Sequence, residues 1–233
     1  MAQSLADIPA VERRAILSAF GSLLITLAAL AVFSWLAAHV LTSNTQHFDI
    51  YIREFIHAHA PTWGTPWMLR ITMLGNWYII LAETIVLLGI LLALRRRQDA
   101  RLLAVTMFGA GMLDSVLKLL IRRVRPIAYF GFPAPDTYSF PSGHALVTLC
   151  FVGFVAGLIT QSIERRWVRG LIWAVAGVLV ALIGLSRVYL GVHYPSDIVA
   201  GYAAGLAWMS AVGVVAAREQ RAREKKREVA RAR

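Results

Sequence analysis

Cysteine is nearly absent. The 233-residue chain has one, Cys150, inside an apolar run. No intrachain disulfide can form, so the fold does not depend on oxidation, and Cys150 reads as a small core residue. Acidic residues are scarce as well, 13 against 24 lysines and arginines. No cluster of aspartates and glutamates is available to hold a divalent ion, and no spacing resembles a strong metal site. Neither a metal nor another cofactor is called for. The chain has no internal repeat and no linker that would divide it, so residues 1–233 read as one domain. It also lacks an Asn-x-Ser/Thr sequon. At the N-terminus no small-residue cleavage site stands out, and the apolar run is long for a signal peptide, so it reads as a retained helix.

What the chain has in excess is apolar surface: 58% of its residues are hydrophobic and mean hydropathy is +0.61. A soluble domain of this size rarely carries so much. Six apolar segments run over residues 16–41, 76–94, 102–121, 144–162, 168–185 and 198–217. Each is near the length that spans a bilayer. The expected fold is therefore all-α, a polytopic membrane protein with six transmembrane helices. A net charge of +11 could signal nucleic acid. Here most basic residues punctuate the apolar runs instead, which makes membrane lipids the partner and not nucleic acid. Residues 218–233 form a basic tail that reads as a solvated stop-transfer segment, with attraction to anionic headgroups a second role.

Basic residues also orient the chain. With the N-terminus in the cytoplasm, that side holds Arg13, Arg14, Arg95, Arg96, Arg97, Arg101, Arg165, Arg166, Arg169 and the tail. The external side holds only Arg53, Arg70, Arg122, Arg123, Arg125 and Arg187. Both termini are then cytoplasmic. External segments 122–143 and 186–197 lie on one face, where four cations oppose the orientation rule. A local anion would hold them there. The expected location is a bacterial inner membrane with the site outside. A long external segment, 42–75, has apolar residues at 48, 52, 55 and 56 that suit a short interfacial helix. It reads as a cap over the site or a surface anchor.

Three polar stretches carry the chemistry. In Lys118-Leu-Leu-Ile-Arg-Arg-Val-Arg125-Pro126, the two numbered cations are spaced to share a helix face, with the helix ending near Arg125. Arginine grips phosphate oxygens with a planar fork, and a lysine near a helix end extends its amine to the interface. Asp114 is a candidate ion-pair partner for Lys118. Arg122 and Arg123 read as surface or headgroup contacts and are not assigned to the site. Pro141-Ser142-Gly143-His144 opens the fourth helix, where unpaired backbone N–H groups favour an anion. Ser142 can add a hydroxyl donor, and Gly143 lets the backbone approach a ligand. Ser186-Arg187 and His193-Tyr-Pro-Ser-Asp197 complete the set. Asp197 falls at the start of the sixth helix, where it can cap the helix, orient His193, or both. Cations alone can stabilise the developing charge on a phosphate. Tyr129, Phe130, Phe132, Tyr138 and Phe140 either line an entrance for a lipid chain or anchor the loop.

The combined pattern resembles the type 2 phosphatidic acid phosphatase family, the lipid phosphate phosphatases. The motifs span Lys118 to Asp197, and the six-helix layout extends the likeness to most of the chain. The resemblance implies a metal-independent phosphomonoester or diphosphate hydrolase. It implies that His193 is the nucleophile, that Asp197 orients it, and that His144 protonates the leaving oxygen. Lys118, Arg125, Ser142, Gly143 and Arg187 would hold the phosphoryl oxygens. The substrate would be a lipid phosphate, such as undecaprenyl diphosphate, phosphatidylglycerol phosphate or phosphatidic acid. The same phosphate site is similar to that of vanadium haloperoxidases, whose solubility the apolar spans oppose. An anion-binding protein or transporter is the alternative from another class. It would have no use for His193 paired with Asp197.

Overall fold

Long apolar runs leave the backbone no partner but itself, and helices follow. The computed structural model describes residues 10–231, with side chains from 20 to 219. Among the described residues there are eight α-helices and no strand. They are α1 (Ala10–Leu41), α2 (Gln46–Ala58), α3 (Gly64–Leu74), α4 (Trp77–Ala93), α5 (Arg97–Ile121), α6 (Gly143–Thr160), α7 (Arg166–Tyr189) and α8 (Pro195–Arg231). Five of these are long and apolar enough to cross a membrane, namely α1, α5, α6, α7 and α8. The sixth expected span differs. α4 has 17 residues, and it reaches spanning length only together with α3, from which it bends by 45° at Gly75 and Asn76. The chain is an integral membrane protein with five such spans, or six if the bent pair is one. The side chains of the basic tail beyond residue 219, and those of Arg13 and Arg14, lie outside the described side chains.

α8 is the hub, packed against α1, α5 and α6. Lipid supplies no hydrophobic drive between helices, so close approach through small residues matters most. α8 presents Ala200, Ala203, Ala204 and Ala207, all buried. At Gly201 an added Cβ would sit 2.6 Å from the Ser142 carbonyl oxygen, so glycine here lets α8 touch the start of α6. Large apolar side chains such as Leu24, Leu27, Ile85, Val86, Val175 and Val178 stay exposed, as a lipid-facing surface requires.

Two helix ends depart from expectation. α5 stops at Ile121, and Arg122 takes a left-handed φ of 51°. Lys118 and Arg125 therefore do not share a helix face. α7 continues to Tyr189, so Arg187 projects from its last turn and not from a loop. The end of α5 and the start of α6 still lie beside the end of α7 and the start of α8. All three polar stretches meet at one end of the bundle.

Candidate active site

A cavity of about 590 Å³ opens at that end. Its wall includes Lys118, Arg125, Gly143, His144, Arg187 and His193. Six of the eight residues expected in the site thus line it, and the other two, Ser142 and Asp197, are fully buried beside Gly143 and His193. Ser142 is buried and caps α6, its hydroxyl accepting from Ala145 N at 3.4 Å. A hydroxyl that accepts in this way keeps its own hydrogen to donate.

His193 occupies the short turn between α7 and α8. Its Nδ1 lies 3.3 Å from Asp197 Oδ2, and its Nε2 lies 2.9 Å from Arg125 Nη1. An arginine N–H can only donate, so Nε2 must accept and the proton sits on Nδ1, facing the carboxylate. The lone pair on Nε2 faces Arg125, which lines the cavity together with His193. Burial, with Arg125, Arg187 and Lys118 nearby, holds this imidazole well below the ordinary histidine pKa. That favours the neutral imidazole, the form able to act as a nucleophile. Asp197 is fully buried, and its Oδ2 also accepts the Tyr194 backbone N–H at 2.9 Å. The carboxylate therefore caps α8 and orients His193 at once.

The cations come from three directions. Lys118 is bound to Asp114 at 2.5 Å. An added Cβ on Gly143 would lie 2.8 Å from Asp114 Oδ2 and 3.0 Å from Lys118 Nζ, so the ion pair rests against the N-terminus of α6. Lys118 thus both pairs within the bundle and lines the cavity. Arg125 is anchored by the Thr137 and Val192 carbonyls at 2.6 and 2.9 Å. Arg187 is buried, with Nη1 on Thr72 Oγ1 at 2.6 Å. Its Nε has no hydrogen-bond partner among the described residues, and neither does His144 Nε2. Buried orphan donors are costly. A ring of cations with unsatisfied nitrogens suits an oxyanion of three or four oxygens.

Sequence reasoning missed two residues, Arg123 and Asp49. Arg123 is no headgroup contact: Nη1 donates to Asp197 Oδ1 at 2.6 Å and Nη2 to Asp49 Oδ2 at 2.7 Å. Burial opposes its charge, but Asp197 and Asp49 outweigh this and hold the guanidinium pKa above its ordinary value. The clue available was Asp49, which at helical spacing shares a face with the apolar Ile52 and Ile56. Segment 42–75 proves to be part of the site, through Asp49, Thr72 and Gly75, which abuts His144. It faces outward with exposed Phe48, Tyr51, Trp63 and Trp67. The loop aromatics divide. Tyr138 lines the cavity. Tyr129 stacks on His57 at 3.7 Å, Phe130 on Tyr189 at 5.3 Å, and Phe140 is buried beside Phe33.

Known proteins are similar to this chain in sequence and in fold. The chain is 32% identical over 176 residues to phosphatidylglycerophosphatase B of Bacillus subtilis, covering 75% of this chain and 86% of that protein. It is 34% identical over 152 residues to an undecaprenyl-diphosphatase of Sulfolobus acidocaldarius, covering 63% of this chain and 68% of that one. The crystal structure of a transmembrane PAP2-type phosphatidylglycerolphosphate phosphatase from Bacillus subtilis superposes with a TM-score of 0.74 at 28% identity, over 81% of this chain and 94% of that one. The family model described as the PAP2 superfamily matches residues 99–221, more than half of the sequence, and the chain belongs to that family, as do the phosphatases it resembles.

Proposed function

We propose that this chain hydrolyses a lipid phosphate or diphosphate through a phosphohistidine on His193. The observation that carries the reading is the unprotonated Nε2 of His193, facing Arg125 in a cavity wall that also includes Lys118 and Arg187, while Asp197 holds the opposite nitrogen. Phosphoryl transfer needs positioning and charge stabilisation more than covalent chemistry from the protein. Here Nε2 attacks phosphorus in line with the leaving oxygen. Arg125 exchanges its bond to Nε2 for one to a phosphoryl oxygen. Arg187, Lys118 and the Gly143 N–H take the others, so fixed cations supply what a metal would otherwise supply. Asp197 stabilises the positive imidazole that forms. His144, from the start of α6, protonates the leaving oxygen and then takes a proton from the water that attacks the phosphohistidine.

The lipid assignment rests on the wall next to the cations. Trp77, Leu119 and Val147 line the same cavity, and Trp77 and Leu119 are also exposed toward lipid. The relatives act, by name, on a glycerolipid phosphate or a prenyl diphosphate, and both headgroups suit this cavity. The excess of basic residues at the opposite end supports an external site with cytoplasmic termini. Phosphate release from phosphatidylglycerol phosphate and undecaprenyl diphosphate in EDTA is the test. We expect activity in the wild type and none in His193→Ala. Purified protein that binds these lipids without turnover would overturn the enzyme reading.

A further inference from the structure

Behind the nucleophile, away from the cavity, lies a closed polar ring. Arg123 Nη1 donates to Asp197 Oδ1 at 2.6 Å and to Ser196 Oγ at 2.8 Å. Arg123 Nη2 donates to Asp49 Oδ2 at 2.7 Å. Ser196 Oγ in turn donates to Asp49 Oδ2 at 2.6 Å, and Ser196 N donates to Asp49 Oδ1 at 3.0 Å. The guanidinium also lies over the Tyr194 ring at 4.1 Å, which sets its plane. Asp49 and Asp197 are both fully buried. Neither Arg123 nor Asp49 lines the cavity.

This ring determines which oxygen of Asp197 meets which donor. Oδ1 belongs to Arg123, and Oδ2 to His193 and the Tyr194 N–H. A carboxylate held by one oxygen alone can turn about its last bond, whereas one held by both cannot. Two carboxylates around one guanidinium also keep Arg123 from swinging toward the anion site. Asp49 reaches this place from α2, the helix whose other face shows Phe48 and Tyr51 outward.

We propose that Asp49 and Arg123 are positioning residues, a clamp by which α2 sets the carboxylate that orients His193. The proposal rests on the phosphohistidine reading above. It separates from a merely structural role in kinetics, because neither residue touches substrate and both act through Asp197.

The test uses purified full-length wild type, Asp49→Asn, Arg123→Lys, Asp197→Asn and the Asp49→Asn/Asp197→Asn double variant. Phosphate release from dioleoyl phosphatidic acid and farnesyl diphosphate is measured in detergent micelles with EDTA, beside thermal unfolding. Asp49→Asn should lower kcat about 10-fold and Arg123→Lys about 100-fold, each with KM within about 2-fold. On the Asp197→Asn background, Asp49→Asn should cost less than about 2-fold, because coupled residues are not additive. Unchanged kcat in both single variants overturns the proposal. So does a full, repeated loss on the Asp197→Asn background, or a loss confined to KM. Failure of both Asp49→Asn and Arg123→Lys to fold would assign the ring to stability and overturn it too. Those results leave the phosphatase reading standing as long as the wild type is active. A wild type that releases no phosphate from either lipid overturns both.

Discussion

Replacing Asp197 by asparagine changes one oxygen to an NH2 group and almost nothing in shape, yet no orientation of the amide fits. Asp197 Oδ1 faces the Arg123 guanidinium at 2.6 Å, and Oδ2 faces the Tyr194 N–H at 2.9 Å and His193 Nδ1 at 3.3 Å. Suppose the amide oxygen stays with Arg123. Its NH2 then meets the Tyr194 N–H, and His193 must move its proton to Nε2. That proton blocks the attacking nitrogen and points at the Arg125 Nη1 donor 2.9 Å away. Suppose instead the amide flips. His193 keeps its tautomer, but NH2 now faces a buried guanidinium at 2.6 Å. Removing one partner of a buried ion pair costs about 3–5 kcal/mol, so both orientations are poor. The serine-protease precedent of a wrong histidine tautomer, about 10⁴-fold in kcat, sets the upper end of the expected loss. We expect kcat to fall by about 10²–10⁴, equivalent to roughly 3–5.5 kcal/mol of barrier. KM should move little, because Asp197 does not line the cavity. Steady-state phosphate release over a range of substrate in EDTA-containing micelles measures both. A loss shared equally between kcat and KM, or no loss of kcat, would refute the tautomer argument.

Two further outcomes follow from the same geometry. The pKa of His193 is depressed, so the neutral, attacking form persists as pH falls and is lost only below the ordinary histidine value. The acid limb of kcat/KM for the free enzyme should therefore lie below pH ~6.5, the unperturbed imidazole value; a limb at or above it that His144→Asn leaves in place would contradict the assignment. At Gly143, an added Cβ 2.8 Å from Asp114 Oδ2 and 3.0 Å from Lys118 Nζ must displace the tips of two flexible side chains and not the backbone. Gly143→Ala should thus fold normally, as circular dichroism would report, and raise KM about 10-fold by moving the Lys118 ammonium from the phosphate; an unchanged KM would place that cation outside the binding step.

Much of this protein can be read in one dimension. An apolar run near 20 residues long has few structural options in lipid, so the spans are legible. Charges placed where lipid makes them costly mark their own importance, so Lys118, Arg125, His144, Arg187, His193 and Asp197 stand out before any fold is known. Asp197 and His193 are four residues apart, and local chain geometry alone brings them together. Other features do not follow from local rules. The spacing of Lys118 and Arg125 suggests one helix face, but α5 ends at Ile121, and the two cations meet in the cavity because the chain turns back. Arg123 is 74 residues from each of its two carboxylates, and a motif read one stretch at a time gives it no partner. Nothing in the residues around Gly75 places it against His144. Sequence by itself determined five of the membrane helices and which polar residues stand out as candidates for an anion site, because desolvation cost acts residue by residue. Tertiary structure alone decided how α2 and α3 fold onto the end of the bundle and bring Asp49, Thr72 and Gly75 against Arg123, Arg187 and His144, because those contacts depend on which distant surfaces meet.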